Sequence, residues 1–422
     1  MEITRNPEQK EFGAPGPPTS RLRRTFRAFG YRDYRLLWAG AFTSSCGTWM
    51  QEVAQNWLIL TITGSAFWLG LDAFLGEVPF LLFSLLGGVF ADRRDRRKIL
   101  LGSQVVQLTN AFILAALIVF HLVQVWQILV LSFLTGFAQS FGGPAYQALV
   151  PTLVDKEDVP NAIALQSIQF NLARVIGPVL AGLAFASLGA AACFGLNGLS
   201  FFVVIAALLV VKSRYVRKSS HPPVLESLKT GVSFVFHDKT LMSLVFLSFA
   251  GSFLSMPLVT FLPVYAKNIF AIGARGYSIL LACFGGGAVV GALTVATLGN
   301  FRRKALTAIS AQVVFAIVMV AFALSRTLLL SGILLFLAGA GLVVVFAIFT
   351  SLVQLLVEDE LRGRVVSVYT LAFRGAMPLG NLVAGIFAAR YSATAVLVVN
   401  GILLAIVALT VLATRRESFV RV

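Results

Sequence analysis

The chain has 422 residues, 58% of them hydrophobic and 12% charged, with 34 Lys and Arg against 18 Asp and Glu for a formal net charge of +16. An ordinary soluble domain carries about 25% charged residues, which excludes a water-soluble protein of two or three domains with charged surfaces. The apolar stretches are each about 20 residues long, the thickness of a bilayer at roughly 1.5 Å per residue, so lipid is the solvent.

In chain order, residues 1–34 hold no apolar run of the signal-peptide kind. Pro15, Gly16, Pro17 and Pro18 mark a flexible tail, and the first apolar helix is expected to act as its own insertion signal. Apolar runs bounded by turn residues then predict twelve transmembrane helices, at 36–61, 66–90, 99–121, 125–150, 161–187, 191–211, 241–265, 276–298, 305–325, 328–355, 365–389 and 392–413. The expected fold is an all-α membrane protein of two six-helix bundles, 35–211 and 241–413. Between them lies a linker, 212–240, and after them a tail, 414–422. The linker opens with Lys212, Arg214, Arg217 and Lys218 and continues through His221, Pro222 and Pro223. Its second part, Leu225 to Phe236, is read as an amphipathic helix on the membrane surface.

The basic residues are not spread evenly. The predicted tails and alternate loops on their side hold 28 of the 34, the opposite loops hold 4, and Arg174 and Arg374 fall inside spans. The positive-inside rule therefore places both termini in the cytoplasm. Anionic lipid accounts for the charge, and no nucleic-acid partner is expected.

An internal repeat underlies the pattern. Sliding the second half over the first by 203 residues aligns Val154 to Glu157 with Val357 to Glu360, Gly177 with Gly380, Ala181-Gly182 with Ala384-Gly385, Gly136 with Gly339 and Gly88 with Gly291. Parallel repeats of this kind let a transporter alternate between two states by rocking one half on the other around a central site.

Of the 18 acidic residues, only Glu52, Asp72 and Glu77 lie within spans, where a charge is costly and usually functional. Counting residues from the turn at Thr63-Gly64 puts all three within roughly 8 Å of depth. Two readings stand for each: a site that takes up and releases a proton, or a carboxylate held by an ion pair to a basic neighbour such as Arg174 or Arg374. Ser44, Thr48, Glu52 and Gln55 form a polar stripe on the first span, and Ser132, Thr135, Gln139 and Tyr146 form one on the fourth. Ser248, Ser252 and Ser255 form a weaker one on the seventh. Such stripes are expected to face a watery cavity, although a serine or threonine also bonds readily to its own helix. Asn171 and Arg374 are equivalent under the repeat, and Trp49 and Trp57 are expected to give the cavity an aromatic wall suited to an amphipathic organic solute.

After the second span comes Gly88-Val-Phe-Ala-Asp92-Arg93-Arg94-Asp95-Arg96-Arg97, which resembles the loop signature of the major facilitator superfamily, with Asp95 in place of a glycine. The resemblance implies that Gly88, Asp92, Arg93, Arg96 and Arg97 latch an outward-facing state, a carboxylate sitting on a helix end. A plain positive-inside cluster would look similar. In the fifth span, Ala164, Ala173, Gly177-Pro178 and Ala181-Gly182 resemble the family's antiporter motif, with alanine at three glycine positions. That implies export, while generic small-residue packing is the alternative. The arginine often found in the fourth span of proton-coupled members is absent, Ser132 standing in its place. Gly143-Pro144-Ala145, Asn171 to Pro178 and Leu361-Arg362-Gly363-Arg364-Val365 resemble the bacterial branch containing the enterobactin exporter and macrolide efflux proteins. The loop after the eighth span, Gly299 to Lys304, is a reduced counterpart of the latch.

Cys46, Cys193 and Cys283 sit in apolar stretches and imply no disulfide framework. Gly285 to Gly291 lies within a span as a packing face, no Walker or H-E-x-x-H sequence occurs, and His121, His221 and His237 lie at span ends or in loops. No metal, cofactor or catalytic residue is expected. The chain is read as a monomeric carrier of the bacterial inner membrane, exporting an amphipathic organic compound, drug-like or siderophore-like, in exchange for protons. A lipid flippase, an uptake symporter, and a membrane sensor or enzyme are the alternatives.

Overall fold

The computed structural model describes residues 26–212, 224–298 and 303–420. Pro15 to Pro18 of the predicted tail, Arg214, Arg217, Lys218 and His221 to Pro223 of the linker, and Gly299 to Arg302 lie outside the described residues. The first half consists of α1 (Arg32–Thr63), α2 (Ala66–Arg93), α3 (Arg96–Val119), α4 (Val125–Leu149), α5 (Val159–Leu188) and α6 (Ala190–Val210). Helix α7 (Val224–His237) follows in the linker. The second half consists of α8 (Lys239–Ser255), α9 (Gly273–Leu298), α10 (Lys304–Leu324), α11 (Leu328–Leu356), α12 (Asp359–Arg390) and α13 (Ala393–Val420).

Local chemistry sets the boundaries. Gly64, at φ 64°, ends α1, and Ser65 caps α2 by accepting from the Phe67 amide. Asp95, the departure from the family's glycine, accepts from the Arg97 amide and so caps α3. Asp238 caps α8 through the Thr240 and Leu241 amides. The seventh span, expected as one helix, is broken: after α8 come short turns at Pro257–Thr260 and Leu262–Val264 and a π turn at Tyr265–Ile269. Pro257 and Pro263 supply no N–H to the helix ladder, which explains the interruption.

Among the described residues, eleven helical segments are long and apolar enough to cross a bilayer. Helix α1 is a twelfth of full length, 32 residues, and Gln51, Glu52, Gln55 and Asn56 make it the polar exception. The packing repeats as the sequence does. Helix α1 packs on α5 and α6, α2 on α4, and α3 on α4 and α6; correspondingly α8 packs on α12 and α13, α9 on α11, and α10 on α11 and α13. Two crossings join the halves, α2 on α12 and α5 on α9, and they exchange with each other under the repeat.

Both described ends of the chain lie at one end of the bundle, here the basal end. At the opposite, distal end a single apolar core includes both halves, with Val53, Leu69, Ala181 and Phe194 packed together with Leu258, Phe261, Tyr277 and Phe322. At the basal end there are two separate cores, one around Tyr34, Leu100, Leu149 and Phe201 and the other around Leu244, Ile309, Phe349 and Val365. Backbone contacts tell the same story. A Cβ on Gly385 would lie 3.1 Å from the Gly70 Cα, and one on Gly182 would lie 3.1 Å from the Ser278 Cβ, both near the distal end. Gly88 and Gly363, near the basal end, face open space. The halves are sealed together distally and separated by a cleft that opens basally.

A short turn, Arg27–Gly30, straps the entry of α1 to the α4–α5 connection. The Tyr31 hydroxyl shares its one proton between Asp155 Oδ2 at 2.9 Å and Asp158 Oδ2 at 2.8 Å, Arg27 Nε lies 3.1 Å from Asp158 Oδ1, and the Ala28 amide donates to Asn161. Burial, reinforced by both carboxylates, pushes the Tyr31 phenol above its ordinary range. A raised acid pKa means that the folded state holds its proton more tightly, so the strap is complete at neutral pH and weakens as pH rises past the ordinary phenol value of 10.0. Tyr31→Phe is expected to cost about 1–3 kcal/mol, since Asp158 is 2% exposed and loses a donor. An unchanged melting temperature at pH 7 would refute this.

Candidate functional site

The three carboxylates within the spans lie close, Asp72 and Glu77 both within electrostatic reach of Glu52, but their surroundings differ. Asp72 on α2 is 6% exposed and is fully engaged within the first half. Gln55 on α1 donates to its Oδ2 at 2.7 Å, and Ser132 on α4 donates to its Oδ1; the Gln55 amide also donates to the Ser132 hydroxyl at 2.9 Å. This network ties α1, α2 and α4. Glu52, one turn basal to Gln55 on α1, is exposed on the cleft, and among the described residues it receives no hydrogen bond. It lies within electrostatic reach of Arg174, Glu77 and Asp72. Glu77, half-buried on α2, lies within reach of Arg374.

The second half completes the site across the two crossings. Arg174 on α5 places its guanidinium carbon 5.4 Å from the centre of the Trp49 ring and 5.3 Å from that of Phe284 on α9. Arg374 on α12 sits 3.9 Å from the centre of the Phe80 ring on α2. Tyr277 on α9 accepts from the Asn56 amide at 3.3 Å and is electrostatically coupled to Glu52. Lys267, from the π turn, donates to the Leu60 carbonyl at 3.1 Å near the distal end of α1.

The structure does not gather every candidate here. Asn171 lies one turn basal to Arg174 and donates back to the Ser167 carbonyl at 2.8 Å. The seventh-span stripe is corrected: Ser248, Ser252 and Ser255 are 0–1% exposed, packed inside the second half rather than lining the cleft. Trp57 packs against the distal core, leaving Trp49 as the tryptophan beside the carboxylates. On the fourth span, Thr135 accepts from Asn110 and Gln139 accepts from Gln107, so part of that stripe turns toward α3. The partners, Gln107 and Asn110, form with Ser103, which donates to the Ala138 carbonyl, a polar stripe on α3 that went unread in the sequence although it stands at helical spacing.

At the basal end, the loop arginines bind within the first half. Arg96 donates to the Ala148 carbonyl at 2.9 Å and lies 3.9 Å from Asp92; Arg97 donates to the Leu209 carbonyl at 2.6 Å; Arg93 is exposed. The glycine pressed on a neighbouring backbone is Gly87, whose Cβ would meet the Ser140 carbonyl, while Gly88 faces open space. Gly177 sits where α5 crosses α1: a Cβ there would lie 2.9 Å from the Cys46 carbonyl and would strike the Trp49 Cβ. With Pro178 and Gly182 it marks the face along which α5 meets α1 and then α9.

Two bundles joined at two crossings, with charged and aromatic side chains meeting at mid-depth in the cleft, define a carrier rather than a catalyst. A family model described as transmembrane secretion effector matches residues 24–419. The chain belongs to this family, within the major facilitator superfamily, and is a multi-pass membrane transporter, not an enzyme. Among curated relatives, macrolide efflux protein A of Streptococcus pyogenes is 25% identical over 90% of this chain and 96% of its own length. The multidrug efflux pump Tap of Mycolicibacterium fortuitum is 26% identical over 83% and 88%. The enterobactin exporter EntS of Escherichia coli O139:H28 is 27% identical over 65% of each chain. Among solved structures, the nucleoside transporter NupG (D323A mutant) superposes with a TM-score of 0.74 at 13% identity, covering 90% of this chain and 99% of that one. This shows the shared fold.

Proposed function

We propose that the protein exports an amphipathic organic compound from the cytoplasm in exchange for protons, as a monomer in the bacterial inner membrane with both termini cytoplasmic. The observation that carries this reading is Glu52: a carboxyl group midway along its span, exposed on the cleft, without a hydrogen bond from any described residue, and within electrostatic reach of Arg174 at a crossing between the halves. A group so placed is able to exchange a proton with one compartment when the cleft opens basally and with the other when it opens distally. The asymmetry of basic residues, 28 against 4, supports the basal end as cytoplasmic, so the structure described is the inward-open state. The relatives' names, macrolide and multidrug efflux among them, support export and an organic cargo.

The test is flux in proteoliposomes under an imposed pH gradient, with a panel of macrolides, other drugs and siderophores. Uptake of at least one compound against its gradient, collapsing with a protonophore, is expected; no gradient-dependent flux of any compound would refute the reading. The loop of Asp92, Arg93, Arg96 and Arg97, with Gly88, is proposed as the latch of the outward-open state, in which the basal ends of the two halves meet. Asp92→Asn is expected to shift the population further inward by about twofold to fivefold, the worth of one charge at a helix end. Equal labelling of single cysteines on both sides in mutant and parent would refute the latch.

A further inference from the structure

Both crossings between the halves carry the same device. At one, Arg174 of the first half rests on Phe284 of the second; at the other, Arg374 of the second half rests on Phe80 of the first. Helices α5 and α12 correspond under the repeat, as do α9 and α2, so each arginine reaches over the interface to a phenylalanine of the opposite half. Each also lies near a carboxylate, Glu52 for Arg174 and Glu77 for Arg374.

The two stations differ in what is available to a ligand. At α2 and α12 a single ring is covered by Arg374 at 3.9 Å. At α5 and α9 the guanidinium lies over two rings, 5.4 Å from the centre of Trp49 and 5.3 Å from that of Phe284, with Glu52, exposed on the cleft, and Tyr277 within electrostatic reach. A guanidinium is flat, delocalised and weakly hydrated, and it favours aromatic faces with a carboxylate at its edge. The protein therefore fills with its own side chain a seat that would suit an amphipathic organic cation.

We propose that the cargo is such a cation, and that it loads at Glu52, Trp49 and Phe284 by displacing Arg174. The proposal deepens the export reading above and rests on it. A neutral cargo would gain nothing from Glu52, and an anion would meet three carboxylates, Glu52, Asp72 and Glu77, against the two guanidiniums of Arg174 and Arg374. Displacement has a mechanical result, because the Arg174 contact on Phe284 spans the α5–α9 crossing: a loaded carrier loses that tie and is free to rock. An empty one regains it, the tethered arginine returning at high effective concentration.

The test uses the full chain in nanodiscs, without a gradient, and three probes of similar bulk: tetraphenylphosphonium, tetraphenylborate and triphenylphosphine oxide, which are cationic, anionic and neutral. Tetraphenylphosphonium is expected to bind at least about tenfold more tightly than tetraphenylborate, the scale of one desolvated cation–π and charge contact. Removing the resident competitor with Arg174→Gln should tighten phosphonium binding by about fivefold, with Arg174→Lys in between. Glu52→Gln should weaken phosphonium binding by about tenfold and leave the neutral probe unchanged. Equal binding of the two ions, or weaker phosphonium binding in both Arg174 variants with melting temperatures intact, would overturn the proposal. The export reading fails differently: gradient-driven flux of an anionic or neutral compound without phosphonium binding sinks only the cation, whereas phosphonium binding without flux of any compound sinks the export reading.

Discussion

Glu52→Gln is expected to reduce pH-gradient-driven export in proteoliposomes to the level of protein-free vesicles, while the melting temperature stays near that of the parent. The side chain is exposed and takes no hydrogen bond from the described residues, so the amide that replaces it breaks nothing that holds the fold. What it removes is the capacity to take up and release a proton. Asp72→Asn should behave in the opposite way. Its two oxygens receive Gln55 and Ser132, and an amide accepts through only one of its two positions. Either the Gln55 amide or the Ser132 hydroxyl proton then loses its acceptor in a buried place, at a cost of about 1–3 kcal/mol. The expected result is a lower melting temperature with residual gradient-driven flux in the surviving fraction. Full flux in Glu52→Gln would sink the coupling assignment, and an unaltered melting temperature in Asp72→Asn would sink the structural one.

The second large effect is expected from Gly70→Leu. Near the distal end α2 and α12 touch backbone to backbone: a Cβ on Gly70 would meet the Asn381 carbonyl and lie 3.0 Å from the Gly385 Cα, and one on Gly385 would lie 3.2 Å from the Phe67 carbonyl. No flexible side chain stands there to move aside. Forcing a leucine into the contact costs about 1–3 kcal/mol, and the cost falls only on the state in which the distal seal is closed. The ratio of distally open to distally closed molecules should then rise by about fivefold to a hundredfold. A cysteine placed at Asn56, beside Tyr277, in a background lacking Cys46, Cys193 and Cys283, reports it through labelling by an impermeant maleimide from the distal side. Export should fall at the same time, because the seal no longer reforms. Labelling equal to that of the glycine parent would show that the seal lies elsewhere.

The sequence displayed the fold through long-range regularity. Spans are read from hydropathy because lipid imposes one length and one chemistry on every crossing, and the 203-residue repeat returns in the structure as the same helix contacts in both halves. The broken seventh span was legible in Pro257 and Pro263 but was smoothed over by its unbroken apolarity. The candidate site was legible as a set of charged residues and illegible as an arrangement. Nothing in the sequence separates Asp72 from Glu52, because the difference lies in Ser132, 60 residues away on another helix. The serines of α8 stand at the same spacing as a cavity stripe, yet tertiary packing turns them inward. Arg174 and Arg374 were visible as intramembrane charges, whereas their seats on rings of the opposite half exist only once the halves are joined.

The polarity of α1 bears on how the protein is made. The ribosome delivers this helix before its partners, and a segment carrying Gln51, Glu52, Gln55 and Asn56 enters lipid poorly by itself. Its lasting partners, α5 and α6, emerge more than 90 residues later. Helix α2, joined to it by the tight turn at Gly64, is apolar enough to cross a bilayer although it carries Asp72 and Glu77, and it supplies insertion energy that α1 lacks, so the two are expected to enter as a hairpin, with α1 only half satisfied until the rest of its bundle arrives. Mutations that weaken α2 or stiffen that turn should therefore appear first as degraded, unassembled chains, before any of them is seen as a transporter with altered kinetics.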